Sequence, residues 1–170
     1  MKKLVILFLL FTIAACNDGD FDVPAFDFTE NLNKCGEYVL YRANTDKTEA
    51  LILTLKEGHL TTDSFNVSNN ITLTYRVFDE SFGTNYFCQS IPPSSPKVLK
   101  ELKADSNTSV NIIETVETEI RIDTLSTGVK IDTIVTSSYE INFTDMVLKN
   151  DQNDKIYYES YDFGTFEIIN

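Results

Sequence analysis

The feature that most constrains the fold is a long alternation of apolar and polar residues in the second half of the chain. Its apolar members are Val110, Ile112, Val116, Ile120 and Ile122 in one segment and Val129, Ile131, Val135, Tyr139, Ile141 and Phe143 in the next. A repeat of two residues places these side chains on one face of a β-strand. Leu125-Ser126-Thr127-Gly128 lies between the segments as a four-residue loop that ends in glycine. The pattern therefore predicts a long antiparallel hairpin.

Two independent patterns fix the register of this hairpin. With Thr124 opposite Val129, the apolar residues of the two segments face each other on one side. The same register sets Arg121 opposite Asp132 on the other side, which is a favourable cross-strand pair of charges. Glu114 is the misfit on the apolar face, and it predicts either a β-bulge or a shallower part of the core.

Shorter alternations predict further strands in the first half of the chain. Clear members are Leu51, Leu53 and Leu55 in one segment and Ile71, Leu73, Tyr75 and Val77 in another. A hydrophobic content of 42% is enough for one ordinary core. We therefore predict an all-β, antiparallel two-sheet sandwich of about eight strands over residues 31–170, with a closed β-barrel as the alternative.

One short connecting helix is predicted between the two halves. Ser95 suits the N-cap and Pro96 suits the first helical position. Val98, Leu99 and Leu102 then form a narrow apolar stripe at helical spacing.

The first sixteen residues read as an export signal. Lys2 and Lys3 precede an apolar run that is too short to span a bilayer, and Ile13-Ala14-Ala15-Cys16 follows that run. These four residues resemble the lipobox of bacterial envelope lipoproteins. The resemblance implies removal of residues 1–15, acylation of Cys16 by palmitate or a similar fatty acid, and a membrane partnership through that lipid. An ordinary secretory leader is the alternative.

An acidic, interrupted segment, residues 16–30, follows the leader and is predicted to be a solvated tether. Its aspartates, directly after the lipobox, resemble the signals that send some lipoproteins to the outer membrane. The formal net charge of the whole chain is −12, so it repels nucleic acid, and we expect no nucleic-acid partner.

With Cys16 lipidated, two cysteines remain, Cys35 and Cys88. An even remainder outside the reducing cytoplasm predicts a disulfide between them. Two buried free thiols are the alternative.

The sequence contains no complete catalytic set. His59 is the only histidine, follows Glu57-Gly58 in a predicted turn and has no Gly-x-Ser-x-Gly nucleophile to serve. Asp162-Phe163-Gly164 matches a kinase tripeptide without the rest of the kinase motifs, so we predict a turn between two strands there. We expect no metal site and no cofactor.

These observations favour a lipid-anchored, non-enzymatic binding or accessory module of the cell envelope, whose partner is an unknown envelope protein or ligand. Leu125, at the tip of the hairpin, is the candidate contact, although a tip folded back on its own domain fits equally well. A small hydrolase that uses a pair of carboxylates is the alternative, because acidic residues are abundant.

Overall fold

The computed structural model describes residues 26, 28, 31–91, 93–125, 128–152 and 154–169, with the side chains of residues 123–130 outside that description. Nine strands account for most of it: β1 (Asn33–Cys35), β2 (Val39–Ala43), β3 (Glu49–Thr54), β4 (Asp63–Asn66), β5 (Thr72–Phe78), β6 (Val98–Ala104), β7 (Ser109–Leu125), β8 (Gly128–Lys149) and β9 (Lys155–Ile169). A single 3-10 turn, Tyr86–Cys88, is the only helical element of the described residues.

The strands form one antiparallel network that bends into two layers. The first layer has the order β1-β2-β3-β5-β6, and the second has the order β4-β7-β8-β9. The end of β8 joins the layers, because its last residues pair with β6. Among the described strands, the sheet does not close into a barrel. The predicted all-β antiparallel sandwich is therefore confirmed, with nine strands in place of about eight.

A bend in β8 at Asp145 separates its two pairings. β8 pairs with β7 as far as Thr144, and Asp145 then takes a φ of 51°, a conformation that is uncommon for any residue other than glycine. The fully buried Thr108 hydroxyl accepts a hydrogen bond from the Val147 amide at 3.1 Å and donates one to the Asp145 carbonyl at 3.4 Å. This side chain holds the bend in place and so sets the direction in which the hairpin leaves the domain.

The main core lies between the two layers. Its fully buried members include Leu40, Leu51, Leu53, Leu73 and Leu102 from the first layer and Val110, Ile112, Ile141, Phe143 and Phe163 from the second. Phe26 completes the core, with its ring centroid 5.0 Å from that of Tyr75 and 4.9 Å from that of Tyr158. The predicted tether, residues 16–30, thus contains two aromatic side chains, Phe26 and Phe28, that belong to the core.

A second, aromatic cluster covers the outer face of the first layer. Phe82, Tyr86 and Phe87 lie in the connection between β5 and β6 and pack on residues of β2, β3 and β5, such as Tyr41 and Ile52. We call the described part of this connection, residues 79–91 and 93–97, the aromatic lid. The disulfide Cys35–Cys88 ties it to β1, as predicted.

The predicted helix after Ser95 is wrong. Residues Val98–Ala104 form β6, which pairs with β5 and buries Leu102 against the core. An isolated helix of this length is marginal in water, whereas a strand here satisfies backbone groups along β5. Leu99, which completed the helical stripe, is 67% exposed.

The predicted turn at Asp162-Phe163-Gly164 is also wrong. These residues lie inside β9, where a register shift opposite Ile141 and Asn142 marks a β-bulge. Gly164 has a φ of 116°, a backbone conformation that residues other than glycine rarely adopt. The bulge lets Phe163 reach the core, where it is fully buried.

The hairpin register is confirmed at every predicted pair, including Ile122 with Ile131 and Arg121 with Asp132. Pairing extends to Leu125 and Gly128, further than a four-residue loop would allow. No bulge occurs at Glu114, which pairs with Tyr139 in register.

Candidate interaction surface

The outer half of the hairpin extends beyond the rest of the domain. The neighbouring strands stop early: β4 ends its pairing opposite Ile112, and β9 ends its pairing opposite Thr136. Every residue from Thr115 to Ile122 is exposed on both faces of β7. We call residues 115–125 and 128–135 the ribbon. Among the described residues, its two strands pair only with each other.

One face of the ribbon is apolar and uncovered. Val116, Ile120, Ile122 and Ile131 are 57%, 63%, 64% and 65% exposed, respectively. By strand parity they continue the face on which Ile112 is buried, because the register runs without interruption along β7. Contiguous exposed apolar side chains of this kind mark interaction sites more often than isolated ones do.

The opposite face of the ribbon is charged. Glu117, Glu119 and Arg121 alternate along β7, and the Arg121 Nε lies 3.6 Å from the Glu119 carboxylate. All three side chains are exposed, so these charges contribute solubility more than stability. The ribbon is therefore amphipathic, with one face suited to apolar contact.

At the root of the ribbon, Glu114 and Tyr139 meet between the layers. The Tyr139 hydroxyl donates a hydrogen bond of 2.9 Å to the Glu114 carboxylate. Burial raises the pKa of Tyr139, and the bond to Glu114 raises it further. Glu114 is accommodated because it lies at the edge of the core, where its carboxylate has a partner and reaches water.

A cavity of about 320 Å³ opens beside this pair. Tyr139 and Ile168 line it from the second layer, Lys34 and Tyr38 line it from the first, and Leu60 lines it from the connection between β3 and β4. The cavity lies at the root of the ribbon, on the same face of β8 as the apolar side chains, because Tyr139 and Ile131 have the same parity on that strand.

Of the other predicted site residues, Cys35 and Cys88 are joined by a disulfide, whereas Cys16 lies outside the described residues. The backbone of Leu125 ends β7, but its side chain lies outside the description. His59 is a turn residue whose Nδ1 accepts a hydrogen bond of 3.1 Å from the Lys56 amide.

Among the described residues, two carboxylates have shifted pKa values, and ion pairs explain both. Burial raises the pKa of Glu101, but hydrogen bonds from Arg76 at 2.7 Å and Lys103 at 3.1 Å outweigh it and leave the pKa below its ordinary value. A hydrogen bond from Lys149 at 2.7 Å holds the pKa of Asp105 below its ordinary value. These are structural ion pairs between strands and turns.

Within the described part of the chain, no group of three or more His, Cys, Asp or Glu residues is arranged to hold a metal ion. None of the described helices has the length and apolar character needed to cross a membrane. What the described surface offers is apolar contact along the ribbon and hydrogen bonding along its strand edges.

Sequence reasoning missed Val116, Ile120 and Ile131 as contact residues. Their alternation with polar neighbours assigns them to the apolar face of the hairpin, and that signal is visible in the sequence. Only the structure shows that this part of the face is exposed to solvent.

Comparison of the chain with protein-family models, with curated proteins and with solved structures finds no match.

Proposed function

We propose that this chain is a lipid-anchored protein of the cell envelope, carried on the outer membrane by an acylated Cys16, and that its sandwich is a non-enzymatic binding module. The observation that carries the proposal is the ribbon, which exposes four large apolar side chains on one face. The partner we propose is an envelope protein with an apolar strip that fits this face and the cavity at its root.

The direction of the chain supports this arrangement. Phe26 packs beside Tyr158, near the start of β9, whereas β9 ends at the root of the ribbon. From Tyr158 to Ile169, β9 rises about 36 Å, and the ribbon adds roughly 26 Å beyond Thr136 at ~3.3 Å per residue. An anchor upstream of Phe26 would therefore hold the opposite end of the domain and direct the ribbon away from its membrane.

The anchor has a direct test. Cys16→Ser is expected to abolish incorporation of labelled fatty acid and to move the protein out of the membrane fraction, because the proposed acylation site is lost. Cys88→Ser is the matched control and should keep its label. Mature protein that retains Cys16 but carries no lipid would overturn the anchor.

The ribbon is tested separately, in intact cells, with a photoreactive amino acid at Ile120 and, as the control, at the neighbouring Glu119 on the charged face. We expect an adduct with one envelope protein at Ile120, at least several-fold stronger than at Glu119, because successive side chains of a strand point to opposite faces. Both sites are exposed, so neither change should lower the unfolding free energy by more than ~0.5 kcal/mol. Equal labelling at both sites, or none in folded protein, contradicts the proposal.

A further inference from the structure

A cleft of about 210 Å³ lies on the outer face of the first layer, at the edge of the aromatic lid. Outward-facing residues of β2, β3 and β5 form its floor, and lid residues on either side of Cys88, namely Phe87 and Gln89, form its wall. Cys88 is bonded to Cys35 on β1, so the wall is covalently attached to the sheet. The disulfide thereby fixes the position of the wall relative to the floor.

The floor of the cleft carries hydrogen-bonding groups that are not used within the described part of the chain. The hydroxyls of Thr54, Thr72 and Thr74 line the cleft and form no hydrogen bond with any described residue. Arg76 lines the same floor, and its only described partner is Glu101, whose Oε2 lies 2.7 Å from the Arg76 Nε. The two terminal nitrogens of the guanidinium, Nη1 and Nη2, are therefore available to a ligand.

The charge at this floor is positive, although the chain as a whole has a net charge of −12. Glu101 binds two cations, Arg76 at 2.7 Å and Lys103 at 3.1 Å. Burial raises the pKa of Glu101, but the hydrogen bonds from these cations hold it below its ordinary value, so the carboxylate is ionised at neutral pH. One negative and two positive groups leave a surplus of one positive charge, which a monoanion would balance.

These groups match a small carboxylic acid with an apolar body. The planar fork of an arginine fits the two oxygens of a carboxylate, and threonine hydroxyls donate to the same oxygens. Val39, Ile52 and Phe87 provide apolar surface in the same cleft. The volume of 210 Å³ equals that of about seven water molecules at ~30 Å³ each, so the ligand is smaller than those that fill a typical drug-sized pocket.

We propose that the cleft between β5 and the aromatic lid binds a small monocarboxylate, whose carboxylate contacts the Arg76 guanidinium and whose apolar body lies against Phe87. The proposal goes beyond the function proposed above, since the cleft belongs to the first layer and requires neither the lipid nor a partner on the ribbon.

The test is a titration of the full-length mature protein, extracted in detergent, with hexanoate, followed by the amide resonances in isotope-edited NMR spectra. We expect shifts confined to residues that line the cleft, such as Thr72 and Gln89. The Kd should be on the order of 1 mM or lower, as for other ligands of about eight non-hydrogen atoms. Hexanamide has the same size and shape without the charge and should bind about ten-fold more weakly, because a hydrogen bond to an ionised group is the stronger one.

Arg76→Gln is expected to weaken hexanoate binding by about ten-fold and to remove the preference for hexanoate over hexanamide. Arg121→Gln is the matched control, because it removes the same charge from another arginine whose Nε is paired with a glutamate, on the ribbon of the second layer. We expect it to leave the affinity unchanged. An equal loss in both variants would show an effect of net charge alone and overturn the site.

The wild-type titrations decide the matter even where Arg76→Gln fails to fold. Equal affinity for hexanoate and hexanamide, shifts that spread outside the cleft, or no shift up to ~20 mM hexanoate each overturn the proposal. These outcomes are independent of fatty-acid labelling and of the adduct at Ile120, so failure here is distinguishable from failure of the proposed function.

Discussion

Replacing Cys35 and Cys88 together with alanine is expected to lower the free energy of unfolding by about 4 kcal/mol. The disulfide closes a loop with a sequence separation of 53, and the loss of that constraint returns conformational entropy to the unfolded chain. The aromatic lid adds to the effect, because Cys88 is the covalent link between the lid and β1.

Urea denaturation of wild type and the double variant measures this difference. Cys88 is exposed, so a reducing agent should reach the bond and produce the same destabilisation in the wild type. The double variant is its own control, since reductant should leave its unfolding midpoint unchanged. Free-thiol labelling shows whether the reductant has reduced Cys35 and Cys88 in the wild type. If both are reduced and the wild-type unfolding curve still does not change, the expected effect is contradicted.

The hairpin was predictable because two kinds of information agree on one register. Apolar side chains such as Ile122 and Ile131 must share a face, and charges such as Arg121 and Asp132 must face each other. A slip by one residue breaks both patterns at once, so few alternatives compete. The sequence of the two segments alone therefore determined which residues pair along the whole hairpin.

The segment after Ser95 was not predictable in this way. Val98, Leu99 and Leu102 fit a helical stripe, but only Leu102 is buried, and a single buried side chain does not determine secondary structure. Pairing with β5 decides the outcome, and that partner lies outside any local window. Tertiary contacts here override a local preference that is weak.

The candidate surface was only half predictable. The alternation identifies Ile112 and Ile120 alike as members of the apolar face, yet Ile112 is 1% exposed and Ile120 is 63% exposed. The difference arises because Ile112 packs in the core between the layers, whereas β4 and β9 pair only with the inner part of the hairpin, and no feature of the hairpin's own sequence records how far its neighbours extend.

Phe163→Ala is expected to lower the free energy of unfolding by 3–5 kcal/mol, the usual cost of removing a buried phenylalanine. Phe163 is fully buried, and its ring centroid lies 5.0 Å from that of Phe143. The bulge before Gly164 lets this side chain enter the core, so the variant leaves a cavity that the kinked strand is poorly able to close.

Ile169→Ala, on the same strand and 71% exposed, is the matched control and should change the free energy of unfolding by no more than ~0.5 kcal/mol. Urea denaturation compares the two variants. A loss below ~1 kcal/mol for Phe163→Ala would show that Asp162-Phe163-Gly164 forms an exposed turn, because only a side chain in solvent is removed at so small a cost.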